Sequence, residues 1–321
     1  MERYRLSKVF MLFKKFGSFR LFRAYARIGV LGMVLRESLK GLLRRRPIEE
    51  IYYAYQPRIV SAIRNKYQPL IMERLAFYEK ESLPHERADV VWFCWLQGIE
   101  QAPQMVKHCL ASLKKNLPGR EIIVIDEQNR RQYATLPAHI EEKWKKKLIP
   151  PALFSDLLRL ELLIEHGGTW IDSTVLCTGS NYLPASLDTD LFFYQFKSSA
   201  DARYAGISNW FITACRNNPP LLALRDGLFA YWKDFDCVLE YFVFHRLFDL
   251  IAVGRPEAIS AMPYAYSPDA LALGHNWEKP FDAASWERLV SRVAFHKLTY
   301  KVKEEVEKAD GNYYHYILEK I

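Results

Sequence analysis

Asp156, Arg159 and Asp172 are the residues whose types and spacing most directly suggest chemistry. Leu153, Leu157, Leu160 and Ile164 recur at helical spacing, so Asp156 and Arg159, three positions apart, share one helix face and can reach hydroxyls of a small polar ligand together. Asp172 closes the short β-prone run Thr169-Trp170-Ile171. A carboxylate aimed at a cation, beside an Asp/Arg pair suited to hydroxyls, fits a sugar nucleotide.

The flanking elements must position these groups. Gly167-Gly168 supplies a helix stop, so a helix feeds a strand that ends in Asp172. In an α/β sheet the ligand crevice lies outside the carboxyl ends of the strands, which is where Asp172 then points. Upstream, Val90 to Trp95 is a near-continuous apolar run, as expected for a strand buried on both faces, and Leu96-Gln97-Gly98 forms its C-terminal loop. Pro103 to Asn116 reads as a helix and Glu121 to Asp126 as the next buried strand. That order predicts a right-handed crossover and a parallel pair. Asp126 either contacts a ribose or caps the turn that follows it.

Ser155-Asp156-Leu157-Leu158-Arg159 and then Gly167-Gly168-Thr169-Trp170-Ile171-Asp172-Ser173-Thr174 resemble the signature of bacterial capsular polysaccharide synthesis glycosyltransferases, relatives of the group carrying the DxD sugar-binding region. The resemblance continues in Trp92 to Gly98, in Ser208-Asn209-Trp210-Phe211 and in Phe295 to Tyr300, and so covers residues 88 to 305. It implies an α/β, GT-A-like fold of the Rossmann type, with a mostly parallel sheet flanked by helices. It also implies a nucleotide-sugar donor, expected to be UDP-linked, a growing and lipid-linked glycan acceptor, and transfer with retention, as in most of the related families. Trp95 and Gln97 would then lie near the base, with Asp126, Trp170, Thr174 and Asn209 along the donor. Lys297 would neutralise phosphate, and Asp172 with His296 would hold Mn²⁺ or Mg²⁺. Thr174 stands where the wider group places its second acid, so the resemblance carries donor binding further than metal binding. Asp188-Thr189-Asp190 is a literal DxD, but it follows a Pro184 loop with no β-run to aim it, and Asp172 is preferred.

The 321 residues, 50% hydrophobic, suffice for one large catalytic body, expected over 88–321, with an N-terminal region over 1–87 and Pro84 near the boundary. The net charge of +8 is uneven, because thirteen Lys/Arg and two Glu fall in residues 1–46 and the rest is net acidic. That arm interleaves Phe10, Leu12, Phe13, Phe16, Phe19, Leu21 and Phe22 with Lys14, Lys15, Arg20, Arg23 and Arg27, and ends in Arg44-Arg45-Arg46. It reads as amphipathic helix, either lying on an anionic membrane surface or packed on the body with a solvated basic face. No nucleic-acid motif accompanies the charge.

The longest apolar run in the arm, Ile28 to Leu35, is too short to span a bilayer, and bases run through and past any signal-like segment. Five scattered cysteines without a CxxC pair fit a reducing compartment. Together these place the protein in the cytoplasm, peripheral to the inner face of the membrane. Residues 48–87 read as a helical connection with Tyr52, Tyr53, Tyr55 and Tyr67 covering the core; Glu141 to Lys147 as a solvated helix end; Asp236 to Leu250 as one helix; and Pro263 to Asn276 as a loop. Competing readings are a glycoside hydrolase using Asp156 and Asp172, a sugar-phosphate transferase, and a non-catalytic membrane-surface protein.

Overall fold

The computed structural model describes residues 18–179, 184–196 and 206–320; Phe10, Leu12, Phe13, Lys14, Lys15 and Phe16 of the basic arm fall outside them. Helix α1 (Ser18–Arg27) and helix α2 (Leu31–Leu43) lead into the long α3 (Ile48–Tyr78). Along α3 the residues Ile51, Tyr55, Ile59, Ile63, Tyr67, Ile71 and Leu75 are all buried. A repeat of four on a helix of 3.6 residues per turn advances about 40° each time, so this stripe winds around the helix and meets successive partners. Each such side chain contributes about 1.5–3 kcal/mol of transfer free energy. Tyr53 points to solvent instead, so three of the four expected tyrosines carry the packing and one does not.

Beyond α3 the chain is built on strand β1 (Val90–Cys94), helix α4 (Gln104–Asn116), strand β2 (Glu121–Ile125), helix α5 (Pro151–His166) and strand β3 (Gly168–Ile171). The chain continues through β4 (Val175–Cys177), β5 (Leu191–Gln195), β6 (Ile207–Ala214), α6 (Pro219–Asp234), α7 (Val243–Gly254), α8 (Ser267–Asn276) and β7 (Phe295–Lys297). The main sheet has the order β2-β1-β3-β6-β5; β1 pairs in parallel with both β2 and β3, while β6 runs antiparallel to β3 and β5. Four of its five strands therefore point one way. β4 and β7 form a separate antiparallel pair.

Period-two alternation divides the core. Val90, Trp92 and Cys94 face the layer that holds α5, whereas Val91 and Phe93 face the one that holds α4. Gly168, at φ +92°, is obligatory where β3 meets β1, because a Cβ there would stand 2.5 Å from the Val90 carbonyl oxygen. The α4 connection takes β1 to its neighbour β2 on one face, and the connection through α5 returns from β2 across the other face to β3 on the far side of β1, which makes the β1/β3 junction the topological switch point of the sheet.

Three expectations are corrected. β2 is an edge strand, half-exposed and not buried on both faces. The stretch Asp236–Leu250 is not one helix: the Tyr231 hydroxyl accepts from Leu239 N at 2.8 Å and Glu240 accepts from Phe242 N at 3.1 Å, holding a loop until α7 starts at Val243. Residues 267–276 form helix α8, because Pro268 near its start favours helix initiation. Gly274 in α8 lies so close to β7 that a Cβ would stand 2.7 Å from the Lys297 carbonyl oxygen. A sequence pattern resembling a loop is thus the helix that seats Lys297.

α1 is tied to the body as well. Arg27 donates to the Asp234 carbonyl and lies 5.6 Å over the Phe235 ring, while Tyr67 donates to Asp234 at 2.8 Å. All five cysteines are free thiols. Among the described residues no helix is long and apolar enough to cross a membrane.

Candidate active site

Immediately after β3 the chain turns out of the main sheet toward β4, and Asp172 occupies that corner. Its N–H donates to Trp210 O at 2.8 Å and its carbonyl accepts from Val175 N at 3.0 Å, which fixes the backbone. Its carboxylate has three further partners. Trp170 Nε1 donates to Oδ1 at 2.8 Å, Lys297 Nζ to Oδ2 at 2.9 Å, and the Arg159 guanidinium stands 3.5 Å from Oδ1. Lys297 also donates to Thr174 Oγ1 at 2.6 Å. Thr174, in the position of the expected second acid, therefore accepts from the Lys297 ammonium.

Behind this pair lies a buried layer. Arg159 reaches Asp156 at 3.1 Å, donates to the Asn209 carbonyl and the Ser155 carbonyl, and lies 4.8 Å over the Trp170 ring. Asn209 Nδ2 in turn donates to Asp156 Oδ1 at 2.8 Å. One arginine thus sits between two carboxylates in different environments. Burial raises the Asp156 pKa to about 7, with Arg159 opposing and Asp172 adding to the shift. Burial acts on Asp172 in the same direction, but Lys297, Arg159 and the Trp170 hydrogen bond outweigh it and hold Asp172 below the usual carboxylate value.

The structure sorts the expected residues. Asp172 and Lys297 keep 24% and 22% side-chain exposure, enough to meet a ligand. Asp156, Arg159 and Trp170 are buried and act on Asp172 from behind, a correction to the expectation that the helix face or the indole itself would touch the ligand. Trp95, just past β1, is half-buried against Tyr300 with ring centroids 5.1 Å apart, and Gln97 is exposed in the adjoining loop. Asp126 caps its turn, accepting from Gln128 N at 2.8 Å and Asn129 N at 2.9 Å.

His296 does not join Asp172. Strand alternation in β7 turns it away from Lys297; it is fully buried, its Nε2 lies 3.2 Å from Thr178 Oγ1, and burial lowers its pKa to about 4. Among the described residues no group of three or more His, Cys, Asp or Glu could hold a metal ion. The expected Asp172/His296 ligand pair is therefore withdrawn, and the residues present do not fit a protein-held divalent ion. Asp188 and Asp190 pair with Arg120 and Arg87 ahead of β5, at the sheet edge opposite Asp172, so the literal DxD is a solvent-facing ion-pair turn.

Sequence reasoning missed Tyr241 and His245. Burial, then the charges of Asp156 and Asp172, raise the Tyr241 pKa, so its half-exposed ring lies in the field of the centre. Burial and then Arg159 and Arg246 lower His245 to about 4. Both residues fell in the stretch read as helix and core, and only the loop that ends at Val243 brings them here. Trp95 Nε1 and His245 Nδ1 are buried and without a hydrogen-bond partner among the described residues.

A family model described as capsular polysaccharide synthesis protein matches residues 42–317. No curated protein matches the chain. Among solved structures, the PaToxG glycosyltransferase aligns over 75% of this chain and 94% of its own, at 13% identity and a TM-score of 0.38, a likeness too distant to carry over an activity.

Proposed function

We propose, for a chain that belongs to the capsular polysaccharide synthesis protein family, that the Asp172 centre is the donor site of a glycosyltransferase with a GT-A-like core. The substrate class is a nucleoside-diphosphate sugar, and the acceptor is a hydroxyl of a surface glycan growing on a lipid carrier. One observation carries this reading: an ion pair, Asp172 with Lys297, is held open to solvent beside the β1/β3 switch point by a fully engaged layer of Arg159, Trp170, Asp156 and Asn209.

In the reaction the bond between the anomeric carbon and the leaving phosphate oxygen breaks, and a bond to the acceptor oxygen forms. Lys297 offsets the charge that develops on the diphosphate, and Arg159 adds to the local positive field. Asp172 orients Lys297 and accepts from a sugar hydroxyl. With transfer on the same face, the acceptor proton passes to the departing phosphate. We assign the base to Trp95 and Gln97, since a flat ring and an amide suit it, and the acceptor side to Tyr241. A divalent ion, if the donor brings one, is held chiefly by the diphosphate.

The test is a panel of nucleotide sugars scored by thermal shift and by slow hydrolysis, on wild type and Asp172→Asn. Stabilisation by one donor with release of nucleoside diphosphate, lost in the variant, is expected. Release of nucleoside monophosphate would replace the reading with sugar-phosphate transfer. Absence of stabilisation by every donor, with and without Mn²⁺, would end it.

A further inference from the structure

Helix α2 presents two unlike sides. Val34 and Gly41 are buried against α3, but Leu35, Leu39 and Leu43, at successive positions i, i+4 and i+8, are 48%, 60% and 67% exposed and uncovered by any described residue. At about 100° per residue the three leucines centre about 140° round the helix from Val34, and Arg36 and Lys40 follow on the next strip. Arg44, Arg45 and Arg46 continue beyond the helix end, all exposed. Beside this strip a groove of about 590 Å³ between α2 and α3 is lined by Arg36, Arg58, Met33 and Asn65. Glu37, which takes Arg36 and Lys40 at 3.2 Å each, is the one acid between Phe19 and Arg46.

A leucine stripe bordered by bases faces two kinds of surroundings at once, acyl chain and anionic headgroup. A water-facing helix gains nothing from three exposed leucines in register. We infer that α2 is an interfacial helix that lays Leu35, Leu39 and Leu43 into an anionic lipid surface, with Arg36, Arg58, Lys40 and Arg44 to Arg46 taking headgroup phosphates. The inference narrows the contact expected of residues 1–46: α1 buries Leu21, Ala24 and Tyr25 in the body, and the exposed leucine stripe lies on α2. It is independent of the donor chemistry proposed above.

The full chain tests it by flotation with phosphatidylcholine vesicles, with and without phosphatidylglycerol. Wild type floats with the anionic vesicles and not with the neutral ones, and Leu39→Glu lowers the bound fraction at least tenfold at unchanged circular dichroism. Gly32 lies on the same exposed side and an added Cβ there meets nothing within 4 Å, so Gly32→Leu lengthens the stripe without disturbing the fold. It raises partition roughly fivefold. Equal flotation of all three proteins, or equal binding to neutral vesicles, overturns the inference. So does self-association of the wild type that Leu39→Glu abolishes without any flotation, which would give the stripe to a second copy. Nucleotide-sugar turnover enters none of these readouts, so failure here leaves the donor site standing.

Discussion

Among the described residues two buried arginines share one construction, and the proposed donor site takes only one of them. Arg130 is fully buried, lies 5.0 Å over the Phe154 ring and sits between Glu127 at 2.8 Å and Glu141 at 2.6 Å. Arg159 is buried, lies 4.8 Å over the Trp170 ring and sits between Asp156 and Asp172. At Arg130 four hydrogen bonds return to the two glutamates, and their first effect is to lower the Glu141 pKa. At Arg159 the two acids are pushed in opposite directions, Asp156 up and Asp172 down, and Asp172 spends its outer oxygen on a solvent-reachable lysine. A cluster closed on itself holds the fold; a cluster whose charges are driven apart and left open is prepared for a ligand.

Replacing the central partner on each side should separate the two roles. Asp172→Asn is expected to lower turnover of the donor about 10³-fold, roughly 4 kcal/mol of barrier, with circular dichroism unchanged. Arg130→Met removes the buried cation, leaving Glu141 with Arg131 alone and Glu127 with the Trp144 indole, and should cost about 3 kcal/mol of unfolding free energy in urea, with kcat of the folded fraction kept. If Arg130→Met abolished turnover at full folding, or Asp172→Asn only lowered stability, the division between the clusters would collapse.

A pH series sharpens it. The folded-state pKa of Asp156, about 7, stands above its ordinary 3.8. The folded protein thus retains a proton that the unfolded chain releases. The contribution of this group to stability is full below about pH 4, is lost as pH rises toward 7 and stays lost above it. Asp156→Asn removes that loss, so the drop in unfolding free energy between pH 4 and pH 7.5 should be smaller in the variant, by an amount on the order of 2 kcal/mol. Glu161, also raised to about 7 by burial, titrates in both proteins and cancels in the difference.

That β3 lies beside β1 and makes the switch point was not legible, but the parallel β1/β2 pair and the strand Gly168–Ile171 were, because these are short apolar runs joined by periodic helices, and the direction of the pair follows from its crossover. Asp172 was legible as a strand end for the same reason. What the sequence hid was depth and return. Helical spacing puts Asp156 and Arg159 on one face but does not say that this face packs onto β3 and β6, where Trp170 and Asn209 make it an inner wall. Strand alternation separates His296 from Lys297, yet β7 is only three residues long, too short for a periodicity to declare itself. Tyr241 comes to the centre through a loop fixed by its own Glu240, by Tyr231 of α6 and by the distant Gln56 of α3, whose amide donates to Glu240.

The smallest expected effect concerns His296, next in the chain to a residue assigned to the diphosphate. Its neighbours decide the matter: Leu176 is its cross-strand partner, Thr178 meets its Nε2, and desolvation favours the neutral ring. Neutral imidazole is the form that ligates metals, so the lowered pKa alone would suit a ligand. The geometry does not, because successive β7 side chains point to opposite faces and Lys297 is the one on Asp172. His296→Gln keeps a polar group beside Thr178 and should leave the dependence of turnover on Mn²⁺ or Mg²⁺ concentration unchanged, while Lys297→Met lowers turnover roughly 10²-fold at every metal concentration. A rise in the metal concentration needed for half-maximal rate in His296→Gln would restore the imidazole to the centre and make Lys297 a gate that leaves Asp172 when the ion arrives.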